Sequence, residues 1–381
     1  MRLLTALLLP PLCFCDFSYP DFGIGAGLTF NGVAATSSCE GLALGGLSYH
    51  AGHGSNDAAS APGAREVVMP SGAAGELRVS AVASAPGDPA LAGALAVFPQ
   101  REDWAPASSL GAACAVRARL TPAASGTVGS LMRRERAPVL GGFEARFAFV
   151  VTDQSRTCVQ VKDRMLGLAS YTSCAVTGGD GLAFVVHGDP AGDHALGEPG
   201  SGLGYAGLTN VLAVEFDSWY NPRAGTSGAG EPDPDMLYDH IAVQAALPGG
   251  GGVGAGPAHR LGRAARAPIA DGRVHTARVL YEPHLRYDLL PLASGSPALL
   301  EHFLKDAGEG RRLGMLTVFY DNASQPLIAM PLNLNTVLRL PDNRAHLGFT
   351  AATGEAWQKH DLLSWRFCEG SCEEKGDGVT V

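Results

Sequence analysis

Glycine and proline recur along this chain, 50 and 25 times in 381 residues, and that spacing favours short extended segments joined by turns over long helices. The segments between them show the right period. Phe143, Ala145, Phe147 and Phe149 fall on one face of an extended stretch, with Glu144 and Arg146 on the other. Alternation of period two marks a half-buried antiparallel strand. Further strands are expected at Leu182–Val186, Val211–Phe216, His240–Val243, Val274–Tyr281, Leu316–Tyr320, Pro326–Met330, Ala345–Thr350 and Leu362–Phe367, each bounded by turn residues. Asp16–Gly32 reads as one opening strand carrying Phe22, Ile24 and Leu28, and Pro297–Lys305 as a short helix in a loop. Residues 50–112 are rich in Ala, Gly, Ser and Pro, with short apolar patches at Val67–Met69 and Leu95–Phe98, and read as a loop-rich insertion. These signals predict an all-β antiparallel sandwich over 16–368 and a polar tail over 369–381.

The first fifteen residues, 1–15, have one early positive charge and then an apolar run, the pattern of a cleavable signal peptide and too short for a membrane span. No later stretch is long and apolar enough to be a transmembrane segment. A secreted or secretory-lumen protein is therefore expected. Of the eight cysteines, Cys13 and Cys15 would leave with the leader, and Cys39, Cys114, Cys158, Cys174, Cys368 and Cys372 would remain. In an oxidising compartment these read as disulfides. Local proximity suggests Cys158 with Cys174 and Cys368 with Cys372, leaving Cys39 with Cys114, one of several connectivities open to them. Asn322 opens an N-glycosylation sequon that fits the same route. The formal net charge of -9 and the want of a basic face exclude nucleic acid as the partner; Arg133, Arg134, Arg136, Arg311 and Arg312 read as solvated loop charge.

The chemistry concentrates in Val211–Asn221 and the acidic stretch after it. On a strand Glu215 and Asp217 point to one face, and the small Ala213 beside them leaves room. Two neighbouring carboxylates taken out of water repel each other unless a cation joins them. Asn221, Asp233, Asp235 and nearby carbonyls supply oxygen ligands of the kind calcium takes, and His240 adds an imidazole suited to a transition metal. The competing reading is a run of turn-forming Asp residues beside a chance carboxylate pair. Two glycine-rich matches carry no chemistry: Gly202–Gly207 fits a dinucleotide pattern but leads into a strand, and Gly249–Gly256 lacks the Lys-Ser/Thr of a phosphate loop.

The string Leu212–Ser218 resembles the signature strand of the legume-type (L-type) lectins, and other motifs follow the family's order. They are Gly178–Phe184, Gly200–Gly207, Asp271-Gly with His275, Gly348–Gly354 and His360–Trp365. The resemblance is close over about 113–367 and weak over 16–32. It implies a concanavalin A-like jelly-roll sandwich that binds glycans or glycoproteins and can form homo-oligomers. It further implies that Glu215 and His240 hold manganese or another transition metal, that Asp217 and Asp235 bridge both ions, and that Asn221 and the Trp219 carbonyl complete calcium. Asp233 is the fallback for Asp235, because the loop Pro222–Pro232 is longer than the family's. The sugar would meet Asp180, after a cis Gly179–Asp180 bond, together with Asn221, a backbone N–H of the Ser201–Gly202 turn, and a specificity loop through Glu355 and Ala356. Ser201 departs from the glycine usual there. For Trp219 and Trp357, stacking on the sugar's C–H face competes with the stronger reading of loop packing.

Two rivals remain. A jelly-roll glycoside hydrolase would use paired acids on one strand face, and Glu215 and Asp217 begin such a pattern, but Tyr220 stands where the second Glu belongs. The alternative is a sandwich serving adhesion after losing sugar binding. The sequence leaves open which sugar is bound.

Overall fold

The computed structural model describes residues 15–22, 26–37, 64–71, 75–82, 97–99, 116–161, 171–219, 239–245, 260–262, 265–293, 313–321 and 324–372. Two eight-stranded antiparallel sheets dominate them. The first runs, in spatial order, Ile328–Leu332, Gly314–Tyr320, Val274–Glu282, Phe143–Thr152, Lys359–Glu369, Arg117–Thr121 and Ala35–Ser37. Cys15–Tyr19 joins it by pairing the far half of Lys359–Glu369, the near half being taken by Arg117–Thr121. The second runs Ala265–Arg266, His240–Ala245, Val211–Asp217, Gly181–His187, Arg344–Ala352, Val128–Arg133 and Leu28–Gly32, with Ala137–Pro138 beside Arg344–Ala352.

The sheets meet through the alternating residues. Phe143, Ala145, Phe147, Phe149 and Val151 enter the main core, opposite Leu182, Phe184, Leu212, Val214, Phe216 and Phe349. Phe147 lies 4.9 Å from Phe349 and 5.7 Å from Phe184, and Phe349 lies 4.9 Å from Trp365, in edge-on and offset arrangements that suit aromatic quadrupoles. This is the face-to-face packing of a jelly-roll sandwich. Val243 is fully enclosed in the same cluster. Val243→Ala should cost about 2 kcal/mol, from two lost methyl groups and an incompletely closed void. Urea denaturation checks this, and a change below about 0.5 kcal/mol would mean the core there relaxes freely.

Val211–Asp217 and Gly181–His187 are buried on both faces, which is why they read as nearly unbroken apolar runs. Val211, Ala213, Ala183 and Val185 turn away from the sandwich and pack under Leu203, Tyr205 and Leu208. The Gly200–Gly207 stretch is therefore a cover over the outer face of these central strands, and that cover forms one side of the candidate site.

Several expectations need correcting. The opening segment is two strands, Cys15–Tyr19 and Leu28–Gly32, lying in different sheets, because residues 20–22 turn the chain between them. The first strand begins at Cys15, the last residue of the stretch read as a leader. Within 50–112, Ala64–Ser71, Gly75–Val82 and Val97–Pro99 pair only with one another as a three-stranded sheet inserted into the sandwich. The patch Val67–Met69 lies in the first of these strands, and Val97 and Phe98 lie in the third. The tail packs as far as Cys372, which is 1% exposed and bonded to Cys368. Its N–H donates to Glu144, a carboxylate that also accepts from Arg278 at 2.6 Å and from Arg146. Arg133 ends a strand and lies over the Phe17 ring at 4.3 Å. Cys158 and Cys174 form the second disulfide, as local pairing suggests. Cys39, Cys114, Asn322, Arg311, Arg312 and the Pro297–Lys305 segment lie outside the described residues.

Candidate functional site

The site lies where three strand ends of the second sheet converge. Gly179–Asp180 is a cis peptide, at the position the sequence suggested. Asp180 is pinned from both sides: its N–H donates to the Ala352 carbonyl at 3.0 Å, and its carbonyl accepts from the Ser218 N–H and hydroxyl, each at 2.9 Å. The next residue must be glycine, since a Cβ on Gly181 would sit 2.3 Å from the Phe216 carbonyl oxygen. Asp180 itself is 4% exposed, and its Oδ2 has no hydrogen-bond partner among the described residues. Burial pushes the Asp180 carboxyl up to about 6, with the Gly354 backbone N–H pulling the other way. An enclosed acceptor without a donor is costly unless a ligand supplies one.

The loop over residues 354–357 closes around it. Gly354 leaves Oδ2 its space, for a Cβ there would come within 2.9 Å. The Gly200–Gly202 turn reaches the same point, with Gly200 facing Gly354; Ser201 is exposed and Gly202 buried. Trp219 and Ala356 flank Gly179, whose Cβ would meet them at 3.1 and 3.4 Å. Glu355 is exposed at the rim. Asp180, Gly202, Ser201, Trp219, Glu355 and Ala356 thus share one end of the sandwich.

Behind them sit Glu215 and Asp217, on one face of their strand, as period two requires. Glu215 lies between Ala183 and Ala242 on the neighbouring strands, so the space for a carboxylate comes from three alanines, Ala213 included. Tyr205 donates to Glu215 Oε2 at 2.5 Å and Gln244 to Oε1 at 2.7 Å. His240 stands opposite Asp217, its Nε2 4.0 Å from Glu215 Oε1. The Trp219 N–H donates to Asp217 at 2.8 Å. Burial, and then the charge of Glu215, push the Asp217 carboxyl well above the ordinary carboxylate range. Two such groups so enclosed form a donor set that favours a cation. Among the described residues no group of three or more His, Cys, Asp or Glu is gathered to hold a metal. Asn221, Asp233 and Asp235 lie outside the described residues.

One supporting chain escaped the sequence reading. Thr121 Oγ1 lies 2.6 Å from His360 Nδ1, Gln358 Nε2 is 2.9 Å from His360 Nε2, and Gln358 also donates to the Ser218 hydroxyl at 2.6 Å. Since an amide N–H only donates, His360 accepts at Nε2 and donates from Nδ1 to Thr121. Full burial holds this ring neutral, its pKa pushed down to about 3. The chain ends on the Asp180 carbonyl. The available signal was a polar Gln358 two residues before His360, at the start of a strand whose first residues are buried although polar.

The family model described as Legume lectin domain matches residues 307–378. A curated relative, a putative L-type lectin-domain containing receptor kinase I.10 of Arabidopsis thaliana, is 26% identical over 217 residues. That match takes in 53% of this chain and 29% of the relative, so the chain spans well under half of the relative's length. Among solved structures, a lectin from Bauhinia forficata in complex with GalNAc aligns at 16% identity, covering 94% of this chain and 98% of that one, with a TM-score of 0.42. The exoplasmic/lumenal domain of VIP36, in a Ca2+/Man3GlcNAc-bound form, aligns at 16% identity over 68% of this chain and 83% of that one, with a TM-score of 0.40.

Proposed function

We propose that this chain is a legume-type lectin that binds glycans at the Asp180 end of the sandwich, in or beyond the secretory pathway, a reading supported by the match of residues 307–378 to the Legume lectin domain. The observation that carries the reading is the buried Asp180 Oδ2, which has no hydrogen-bond partner among the described residues and lies beside Gly354, where the absence of a Cβ leaves it space. An ionised carboxylate accepts several hydrogen bonds and donates none, which suits neighbouring sugar hydroxyls. Asn221 and the Ser201–Gly202 turn would add polar contacts, with Trp219, Glu355 and Ala356 bounding the sugar.

The same proposal gives the deeper layer to metal ions. Glu215 and His240 would hold manganese or a similar ion, Asp217 and Asp235 both ions, and Asn221 and the Trp219 carbonyl calcium. The bound ions would supply positive charge for the enclosed carboxylates and fix the 219–240 loop. Glu215, taken up by Tyr205 and Gln244 and 1% exposed, is poorly placed for a hydrolase nucleophile. No helix among the described residues is long and apolar enough to cross a membrane.

A glycan array probed with the full chain tests the proposal. Discrete binding that free oligosaccharide competes away is expected, while a blank array would leave the adhesion-module reading standing. Gly354→Ala should weaken that binding about tenfold, because its methyl group enters the space beside Oδ2. Affinity unchanged in Gly354→Ala, by calorimetry, would move the sugar away from this pocket.

A further inference from the structure

Arg156–Val161 and Tyr171–Val176 pair as a two-stranded antiparallel hairpin that belongs to neither main sheet. A lone hairpin is marginal in water. This one is held at two places. Cys158 and Cys174 stand directly opposite each other and are joined covalently. At its base, the Ser155 N–H donates to the Trp357 carbonyl at 2.8 Å, the Trp357 N–H donates to the Ser155 hydroxyl at 3.1 Å, and the Thr177 N–H donates to the Ser155 carbonyl at 2.9 Å. The hairpin is therefore clamped to the loop that carries Glu355 and Ala356.

Between hairpin and loop runs an open groove of about 500 Å³. Its hairpin wall is one face of the two strands, Thr157, Val159, Ser173 and Ala175, with the disulfide on the other face, as alternation dictates. The opposite wall is Trp219, Glu355, Ala356 and Trp357. Trp219 and Ala356 are also the residues that flank Gly179, so the groove lies next to the Asp180 site, with those two side chains between them. Val159 is 55% exposed along it. Indole faces, hydroxyls, small side chains, one carboxylate and the Arg156 guanidinium make a surface that is amphipathic on the scale of a sugar ring, apolar for C–H faces and polar for hydroxyls.

We propose that this groove is a second saccharide subsite, with the disulfide-held hairpin as its wall, so that the protein selects oligosaccharides over single sugars. The inference rests on the glycan-binding reading of Asp180 and adds to it the size of the ligand. The Asp180 pocket would take the terminal sugar, and the hairpin face the next one or two.

The test compares glycans that share a terminal sugar. Calorimetry on the full chain would use a di- or trisaccharide that binds on the array and the methyl glycoside of its terminal residue. The oligosaccharide should bind at least about tenfold more tightly. Ala175→Trp, which fills the groove, and the double variant Thr157→Ala/Ser173→Ala should each remove most of that advantage. Affinity for the methyl glycoside should stay within about twofold, and the unchanged melting temperature should show that the sandwich is intact. Equal affinities for the two probes, or an advantage that survives both variants, would overturn the subsite while Asp180-dependent binding stands. Absence of binding to any arrayed glycan would overturn the underlying reading, and this inference with it.

Discussion

Asp180→Asn is expected to abolish glycan binding, with an affinity loss of at least about a hundredfold. Two charge-assisted hydrogen bonds are worth roughly 1.5–3 kcal/mol each, and the amide keeps only one acceptor while adding donors that face sugar hydroxyls badly. The same substitution should not weaken the unliganded fold. Its carboxyl is raised to about 6 in the folded state, so the fold favours the protonated form. Stability from this group is then present at low pH and falls as pH rises from the unfolded value through about 6. Removing the charge should therefore raise the melting temperature at neutral pH, by a few degrees at most. Binding should follow the opposite course and fail as the carboxylate protonates below about pH 6. Calorimetry and thermal melts on one preparation check both halves. Lost binding together with a lowered melting temperature would mean that Asp180 is a structural residue.

The second large effect lies across the sandwich. Arg119 Nε and Nη2 reach the two oxygens of Asp361 at 2.8 and 3.0 Å, with Arg117 3.4 Å away, and Asp361 is 2% exposed. Arg119 then holds the Asp361 carboxyl well below the usual range, against the burial that opposes it. Arg119→Ala leaves an enclosed carboxylate short of its main partner and should cost about 3–5 kcal/mol, toward the lower end because Arg117 remains. For a carboxyl lowered in the folded state, the stabilisation is present above the unfolded value of about 3.9 and is lost as pH falls toward the folded one. Wild-type stability should accordingly drop steeply below about pH 4, and the variant's drop should be shallower. Urea midpoints across pH 2–7 test this, and a cost below about 1 kcal/mol would show that the pair is replaceable.

Much of the fold was legible because its signal is local. Alternation in Phe143–Phe149 and the buried run Val211–Phe216 follow from period two and from burial on both faces. What escaped depends on partners distant in sequence. Cys15–Tyr19 and Leu28–Gly32 look like one strand until Lys359–Glu369 and Val128–Arg133 claim them for separate sheets. Arg156–Val161 and Tyr171–Val176 lack a strong apolar alternation because the hairpin packs on no core, and nothing local marks them except the two cysteines.

The site divides along the same line. That Glu215 and Asp217 face together follows from strand period alone, whereas His240 entered through its imidazole and the family resemblance. Asp180 came from the Gly-Gly-Asp-Gly turn. Tyr205, Gln244, Ser218, Gln358 and His360 support these groups from other segments, and only their hydrogen bonds reveal them.

The central claim, a sugar grip organised by metal, is most directly tested by measuring one array-positive glycan against the same protein before and after removal of divalent cations. A metal-organised grip predicts that EDTA followed by dialysis abolishes binding, and that calcium with manganese restores it while neither Glu215→Gln nor Asp217→Asn can be restored. Undiminished affinity in the cation-free protein would contradict it.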